Sequence, residues 1–323
     1  MTERARRAVV TGVTGQDGSF LAEQLLGAGY EVIGLTRRRP DEDLGCSERL
    51  RDRLTLLRGE VRDPGTVRAL HEARPREIYH LAAPTFVPDS WAAPAETMSA
   101  IHGSAAALLR LVADELVGTR LFIAGSGEIF GDAPVSPQDE DTPCRPRSPY
   151  ATAKLAVHQL AGQMRHHEGV FVVSGILFNH ESERRPERFV SRKITRAVAE
   201  IASGRRDRLA LGDLSAVRDW SFAGDMMRGA RLALAADEPA DYVFASGVGH
   251  TVEDLVHAAF AHVGLDADRY VRVYASLVRA HEAVASVGDP ARAREVLGWT
   301  PQVGFEALVG RMVDADLAAF GTG

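Results

Sequence analysis

A tyrosine and a lysine stand four positions apart in Tyr150-Ala151-Thr152-Ala153-Lys154. On a helix that spacing puts a phenol and an ammonium on one face, one turn apart. A free phenol titrates at about pH 10, so poising it at about 7 requires about 4 kcal/mol. A cation at about 4 Å, with an effective dielectric of about 20, supplies roughly that amount. The pair reads as a base for an alcohol proton, with Lys154 lowering the pKa of Tyr150. Just upstream, Ala124-Gly125-Ser126-Gly127-Glu128 adds a hydroxyl and a carboxylate. Ser126 can hydrogen-bond an oxygen that is being oxidised. Simple hydride transfer needs no acid beside it, so Glu128 points to a further step. A 4-keto sugar has an acidified C5–H, and a carboxylate there can remove that proton and then protonate a leaving C6 hydroxyl.

A second group of residues suits phosphate. Gly12-Val13-Thr14-Gly15-Gln16-Asp17-Gly18 spaces three glycines between an apolar run and a helical pattern. Such glycines let the backbone turn tightly and approach a pyrophosphate, whose charge then lies at the helix N-terminus. Gly12, Thr14, Gly15, Gln16, Asp17 and Gly18 are the candidate dinucleotide contacts. The next strand ends in Thr36-Arg37-Arg38-Arg39, with no acid until Asp41. Cations there suit a ribose 2′-phosphate, so NADP is expected, with Arg37 and Arg38 as its contacts. Arginine has replaced lysine almost everywhere: of 38 basic residues only Lys154 and Lys193 are Lys, and Asn179 is the single asparagine. Arg cannot stand in for a compact ammonium, which marks these three positions as sites where chemistry resisted the exchange.

The elements that must position these groups alternate. Strand patterns at Ala8–Val13, Glu31–Leu35, Leu54–Leu57, Glu77–Leu81, Arg120–Ala124 and Val170–Leu177 are separated by helical ones. These helices are expected at Gln16–Ala28, Pro64–Ala73, Ala95–Leu116 and Pro149–His166. That alternation predicts an α/β fold, a Rossmann-type doubly wound parallel sheet. Beyond Phe178 the pattern loosens, with helices expected at Phe189–Ile201, Val252–Val263 and Phe305–Ala319. This predicts a smaller C-terminal lobe interwoven with the first. The expected division is a NADP-binding domain over 1–177 plus about 212–248, and a nucleotide-sugar lobe over 178–211 and 249–323.

Composition removes several alternatives. No run of 18 apolar residues is present, so no membrane span is expected. The charged start lacks a secretory pattern, and two cysteines cannot build a disulfide framework or a metal cluster. A cytoplasmic protein without a metal site is the natural reading. A net charge of −6 with a pI of about 6.0 argues against nucleic-acid binding.

These residues resemble the extended short-chain dehydrogenase/reductase superfamily, and within it the GDP-mannose 4,6-dehydratase family. The most particular stretches are Phe178-Asn179-His180-Glu181-Ser182-Glu183-Arg184-Arg185, Phe189-Val190-Ser191-Arg192-Lys193-Ile194-Thr195 and Gly212-Asp213-Leu214-Ser215-Ala216-Val217-Arg218-Asp219-Trp220. The resemblance implies a catalytic set of Ser126, Glu128, Tyr150 and Lys154. It also implies GDP-sugar contacts from Thr85, Asn179, Lys193, Arg218, Arg279 and Glu282. The implied reaction dehydrates a GDP-hexose, GDP-mannose above all, to the 4-keto-6-deoxy sugar, with NADP regenerated in each cycle. A reductase or epimerase of a nucleotide-activated hexose would use the same Tyr150 and Lys154, and a non-catalytic NADP sensor would need only the glycine turn. The family also implies a homodimer, or a tetramer. Here Asp41-Glu42-Asp43 lies in the place of the family's serine-rich tetramer loop. Two more departures stand out: Gly127 replaces a usual serine, and Pro84-Thr85-Phe86 replaces a usual Gln-Ser-His.

Overall fold

Seven short segments pair side by side, and the central ones are buried on both faces, which only a sheet covered by helices on two sides allows. In the computed structural model, which describes residues 6–39, 41–277 and 285–321, they are β1 (Arg7–Thr11), β2 (Glu31–Thr36), β3 (Thr55–Arg58), β4 (Glu77–His80), β5 (Arg120–Ala124), β6 (Val172–Leu177) and β7 (Tyr242–Phe244). All pairings are parallel, in the order β7-β6-β5-β4-β1-β2-β3. The direction of winding reverses between β1 and β4. Ligands in open parallel sheets bind outside the carboxyl ends at such a switch point.

The eight longer helices are α1 (Gln16–Gly27), α2 (Pro64–Ala73), α3 (Ser104–Asp114), α4 (Pro149–Glu168), α5 (Val190–Ala202), α6 (Ala223–Ala235), α7 (Val252–His262) and α8 (Phe305–Gly321). On one sheet face, Leu21 and Leu25 of α1 and Met226 and Met227 of α6 share a core with Phe244 and Trp299. On the other, Leu108 and Val112 of α3 meet Ala153, Val157 and Ala161 of α4. A separate core of Ile194, Val198, Leu255, Phe260, Val309 and Val313 joins α5, α7 and α8 in the C-terminal lobe.

The sheet bears out the expected α/β class, with two differences. The alternation read from the sequence stops at six strands, whereas β7 and the helix before it, α6, extend the sheet. Three residues are too few for a period to register. The helix expected over Ala95–Leu116 is interrupted: Pro94–Met98 leads into a wide turn at Ser99–Gly103 before α3. There the Ser104 hydroxyl donates to the carbonyls of Ala100 (2.5 Å) and Ile101 (3.2 Å). Such back-bonding by a serine competes with the regular ladder.

Candidate active site

The turn after β1 is shaped by what glycine lacks. Gly12 has φ +71°, and a Cβ there would lie 3.0 Å from the Ala82 backbone. A Cβ on Gly18 would lie 2.6 Å from Val13 Cα. α1 opens at Gly15 with no side-chain cap, so the N–H groups of its first turn lack a side-chain acceptor. This bare, Cβ-free cradle fits a dinucleotide pyrophosphate. Thr14 serves the turn through its backbone, its carbonyl accepting from Cys46 N–H at 3.2 Å. Gln16 and Asp17 face inward. Gln16 Nε2 donates to Asp17 Oδ1 (3.1 Å) and to the His180 carbonyl (3.2 Å), and its Oε1 accepts from Ser182 Oγ (2.7 Å). At the end of β2, Arg37 is exposed, 3.6 Å from Glu60, while Arg38 folds onto the Asp43 carbonyl.

The catalytic candidates come from two adjacent elements. β5 is followed by Gly125, and Ser126 caps the short turn Gly127–Ile129 by accepting from Glu128 N–H at 3.3 Å. Ser148 caps α4 by accepting from Ala151 N–H at 3.0 Å, and Pro149 fixes its first turn, which carries Tyr150. Tyr150 and Lys154 are both buried. Burial pushes the Tyr150 phenol up to about 12; a hydrogen bond with Ser126 works the other way, and the negative charge of Glu128 adds to the rise. Burial draws Lys154 down to about 8, against the pull of Asp17. This corrects the expectation that Lys154 alone would bring the phenol to neutrality, because the Coulomb arithmetic left out desolvation. Lys154 also points elsewhere: its Nζ donates to the Ala124 carbonyl at 2.6 Å and lies 5.8 Å from the Tyr150 ring centre.

Two histidines and an arginine join this group, and the reading of individual residues passed over all three. Thr11 Oγ1 accepts from the N–H groups of Leu81 (3.1 Å) and Ala82 (3.0 Å), so its own proton goes to His80 Nδ1 at 3.0 Å. Nε2–H then donates to Ser104 Oγ at 3.2 Å. Burial, with the Lys154 charge nearby, lowers His80 to about 3. His180 donates from both nitrogens, to the Phe178 carbonyl (2.7 Å) and to Asp17 Oδ2 (2.9 Å). Burial opposes its charge, but Asp17 outweighs it and holds its pKa above the ordinary value. Asp17 is correspondingly held below the usual carboxylate range: burial would raise it, and His180 overcomes that. Arg185 pairs with Glu181 at 3.1 Å and lies 3.6 Å over the Phe189 ring, and its charge lowers the pKa of both Tyr150 and Asp17. Both His180 and Arg185 sit in the motif already singled out. Their only other signal was that this polar run breaks the helical period.

The sugar-side candidates are spread over distant segments. Thr85 is exposed on the loop after β4. Asn179 opens the short strand Asn179–Glu181, paired with Trp220–Phe222. Lys193, in the first turn of α5, donates to the Ala210 carbonyl at 2.8 Å. It lines a cleft of about 400 Å³ with Arg206, Asp207, Arg208 and Leu209. Arg218 lies in a strand between His250–Thr251 and Ala285–Ser286. Its neighbour Asp219 is fully buried and turned away, accepting from Ser246 N–H (2.8 Å), Ser246 Oγ (2.7 Å) and Gly247 N–H (2.9 Å). Arg279 and Glu282 lie outside the described residues.

Comparison with known proteins gives one direction. A family model described as GDP-mannose 4,6 dehydratase matches residues 9–312. GDP-mannose 4,6 dehydratase 2 of Arabidopsis thaliana is 42% identical over 330 residues, covering 98% of this chain and 88% of its own. The Homo sapiens GDP-mannose 4,6 dehydratase is 37% identical over 341 residues, covering 96% and 91%. Among solved structures, DesIV, a dTDP-glucose 4,6-dehydratase from Streptomyces venezuelae with NAD and TYD bound, superposes with a TM-score of 0.85 at 26% identity, over 98% of each chain. RMD from Pseudomonas aeruginosa, complexed with NADPH, shares the fold with a TM-score of 0.83 at 23% identity, over 97% of this chain and 99% of its own.

Proposed function

Because the chain belongs to the GDP-mannose 4,6-dehydratase family, we infer that it is an NADP-dependent hydro-lyase of a GDP-hexose, GDP-mannose above all. The product is the GDP-4-keto-6-deoxy sugar. The bare glycine cradle holds the dinucleotide's pyrophosphate, with Arg37 and Arg38 assigned to its 2′-phosphate. When bound, NADP supplies the two-electron acceptor for C4 of the sugar and the donor for C6. The protein's own groups move the protons. Tyr150, as phenolate, takes the O4 proton while Ser126 hydrogen-bonds the same oxygen. Burial keeps the phenol protonated at neutral pH, so the base needs positive charge beside it, and Arg185 supplies part of it, with Lys154 assigned to orient the cofactor's ribose beside the phenol. Glu128 then removes the C5 proton, and that proton leaves with the C6 hydroxyl as water. C4 is oxidised, C6 is reduced and one water is lost, so no external reductant is consumed.

The observation that carries this reading is geometric: Ser126 Oγ accepts from Glu128 N–H at 3.3 Å and hydrogen-bonds the Tyr150 phenol, so the carboxylate lies in the turn beside the base. On the substrate side, Lys193 and Arg218 are assigned to the diphosphate and Asn179 and Thr85 to the sugar end, with Arg279 and Glu282 completing the set. Charge-assisted contacts of this kind suit a diphosphate. Residues 1–177 and about 212–248 form the NADP-binding domain; 178–211 and 249–323 form the nucleotide-sugar lobe. We further infer a homodimer working in the cytoplasm. Among the described residues no helix is long and apolar enough to cross a membrane, and light scattering measures the assembly.

The test is Glu128→Gln, supplied with GDP-mannose and no reduced cofactor. The parent should build up the 4-keto-6-deoxy product, and the variant should oxidise C4 yet retain the C6 hydroxyl. Unchanged product formation removes Glu128 from the mechanism. If the parent turns over only with added NADPH, it is a reductase instead.

A further inference from the structure

Phe86 lies on the loop that leaves β4 at the switch point, in the segment Pro84-Thr85-Phe86. The root of that loop is fixed, because Thr11 Oγ1 accepts from Leu81 and Ala82 N–H and the Ala82 backbone packs against Gly12. Its far end runs into the short helix Asp89–Ala92, which packs on α4, the helix carrying Tyr150. Across the cleft, Phe189 stands at the start of α5 in the C-terminal lobe. The Phe86 and Phe189 rings meet edge to face at 5.4 Å. Arg188 closes the same junction twice: its guanidinium lies 4.4 Å over the Phe86 ring, and it pairs with Asp89 at 2.8 Å. On its other side Phe189 carries the Arg185 guanidinium at 3.6 Å. A continuous chain of contacts therefore runs from Arg185, whose charge acts on the Tyr150 phenol, through Phe189 to Phe86, and Arg188 ties Phe86 to Asp89.

We propose that Phe86 is a positioning residue that clasps the two lobes shut over the hexose end of the cleft, keeping the oxidised sugar bound until water is lost. This rests on the dehydratase reading. The reaction needs such a clasp because its first half makes a stable ketone. If GDP-4-keto-hexose leaves early, it departs with two electrons and two protons fewer than the substrate. One reduced cofactor and one proton then stay behind, and that enzyme cannot begin another cycle until it is reoxidised. Edge-to-face rings and a cation over a ring are modest individually, and together with a surface ion pair they suit a closure that must reopen for product.

Two readings test the proposal. In a Tyr150→Phe background, where no turnover interferes, calorimetry compares GDP with GDP-mannose. Phe86→Ala should weaken GDP-mannose about tenfold, while GDP, which has no hexose, changes less than about twofold. Arg188→Gln, an exposed position that threatens no core, should give the same pattern at smaller size, and Phe86→Tyr should restore tight binding. In the active background, borohydride trapping should reveal released GDP-4-keto-hexose that keeps its C6 hydroxyl, from Phe86→Ala and not from the parent. Equal weakening of GDP and GDP-mannose, or no early ketone, overturns the clasp. A parent that makes no 4-keto-6-deoxy product overturns the dehydratase reading instead, and the binding comparison then decides the clasp by itself.

Discussion

The end of β4 holds a buried histidine and the crossing at Phe178–Arg185 a half-buried one, and their neighbours force opposite protonation states. At His80 a threonine hydroxyl already committed as an acceptor leaves only its proton to offer, so Nδ1 must accept and the ring is neutral. At His180 both neighbours are acceptors, a carbonyl and a carboxylate, so both nitrogens donate and the ring is a cation. The consequence follows the division of labour. The neutral ring stands near Lys154, where a second charge would raise the cost of the buried ammonium. The charged ring balances Asp17 where the C-terminal lobe crosses the glycine turn, and Arg185 beside it lowers the pKa of the phenol.

In this comparison neither histidine is assigned as the base, and the largest effect should come from removing the group that is so assigned, Tyr150. Tyr150→Phe is expected to lower kcat by roughly a thousandfold or more while NADP binding by calorimetry stays intact. Loss of cofactor binding with it would give the phenol a structural role instead. Next in size is Asp17→Ala, which leaves the half-buried His180 without its anion. Breaking such a pair costs about 3 kcal/mol, to be read as a lower urea midpoint at pH 7. A cost below about 1 kcal/mol would mean that His180 is neutral and the two clusters are alike. Smaller still is the pair of changes at His80. His80→Gln keeps an acceptor for Thr11 and a donor for Ser104, so it should cost less than about 1 kcal/mol, whereas His80→Ala leaves the Thr11 proton without its acceptor and Ser104 Oγ without its donor and should cost about 2 kcal/mol. Equal costs would show that the hydrogen-bond count at β4 does not matter.

How much of this was legible in advance depends on how far apart in the chain the partners lie. Gly12, Gly15 and Gly18 shape one turn within seven residues, and Tyr150 and Lys154 share one helical face, so spacing alone exposes them. Ser126 and Glu128 follow from lying at the end of a strand. The neutral state of His80 depends on Thr11 and Ser104, 69 and 24 positions away, and the charge of His180 on Asp17, 163 away. No local pattern carries such information. The phenol shows a different failure: the sign of its shift was wrong, because attraction between charges can be judged from spacing but desolvation needs the packed surroundings. β7, three residues long, escaped because its burial comes from β6 and α6 rather than from any alternation of its own.

The opposite charge states also make opposite demands on pH. His80 has a folded pKa of about 3 against an ordinary 6.5. Between those values the unfolded chain takes up a proton that the folded one refuses, so stability falls as pH drops below 6.5. The limiting slope for one such group is about 1.4 kcal/mol per pH unit. His180 runs the other way. Its pKa is raised, so its contribution is complete below 6.5 and is lost as pH rises through the folded value. Asp17, held low, contributes above 3.8 and loses its share as pH falls through its own folded pKa. Urea unfolding from pH 7 to 5 should therefore show a decline that His80→Gln flattens. In nitrogen NMR spectra the His180 ring should titrate above 6.5, while His80 keeps one protonated nitrogen throughout. A His80 ring that charges at about pH 6 would mean that its Nδ1 is not tied to Thr11, and the contrast between the two crossings would then have no basis in hydrogen bonding.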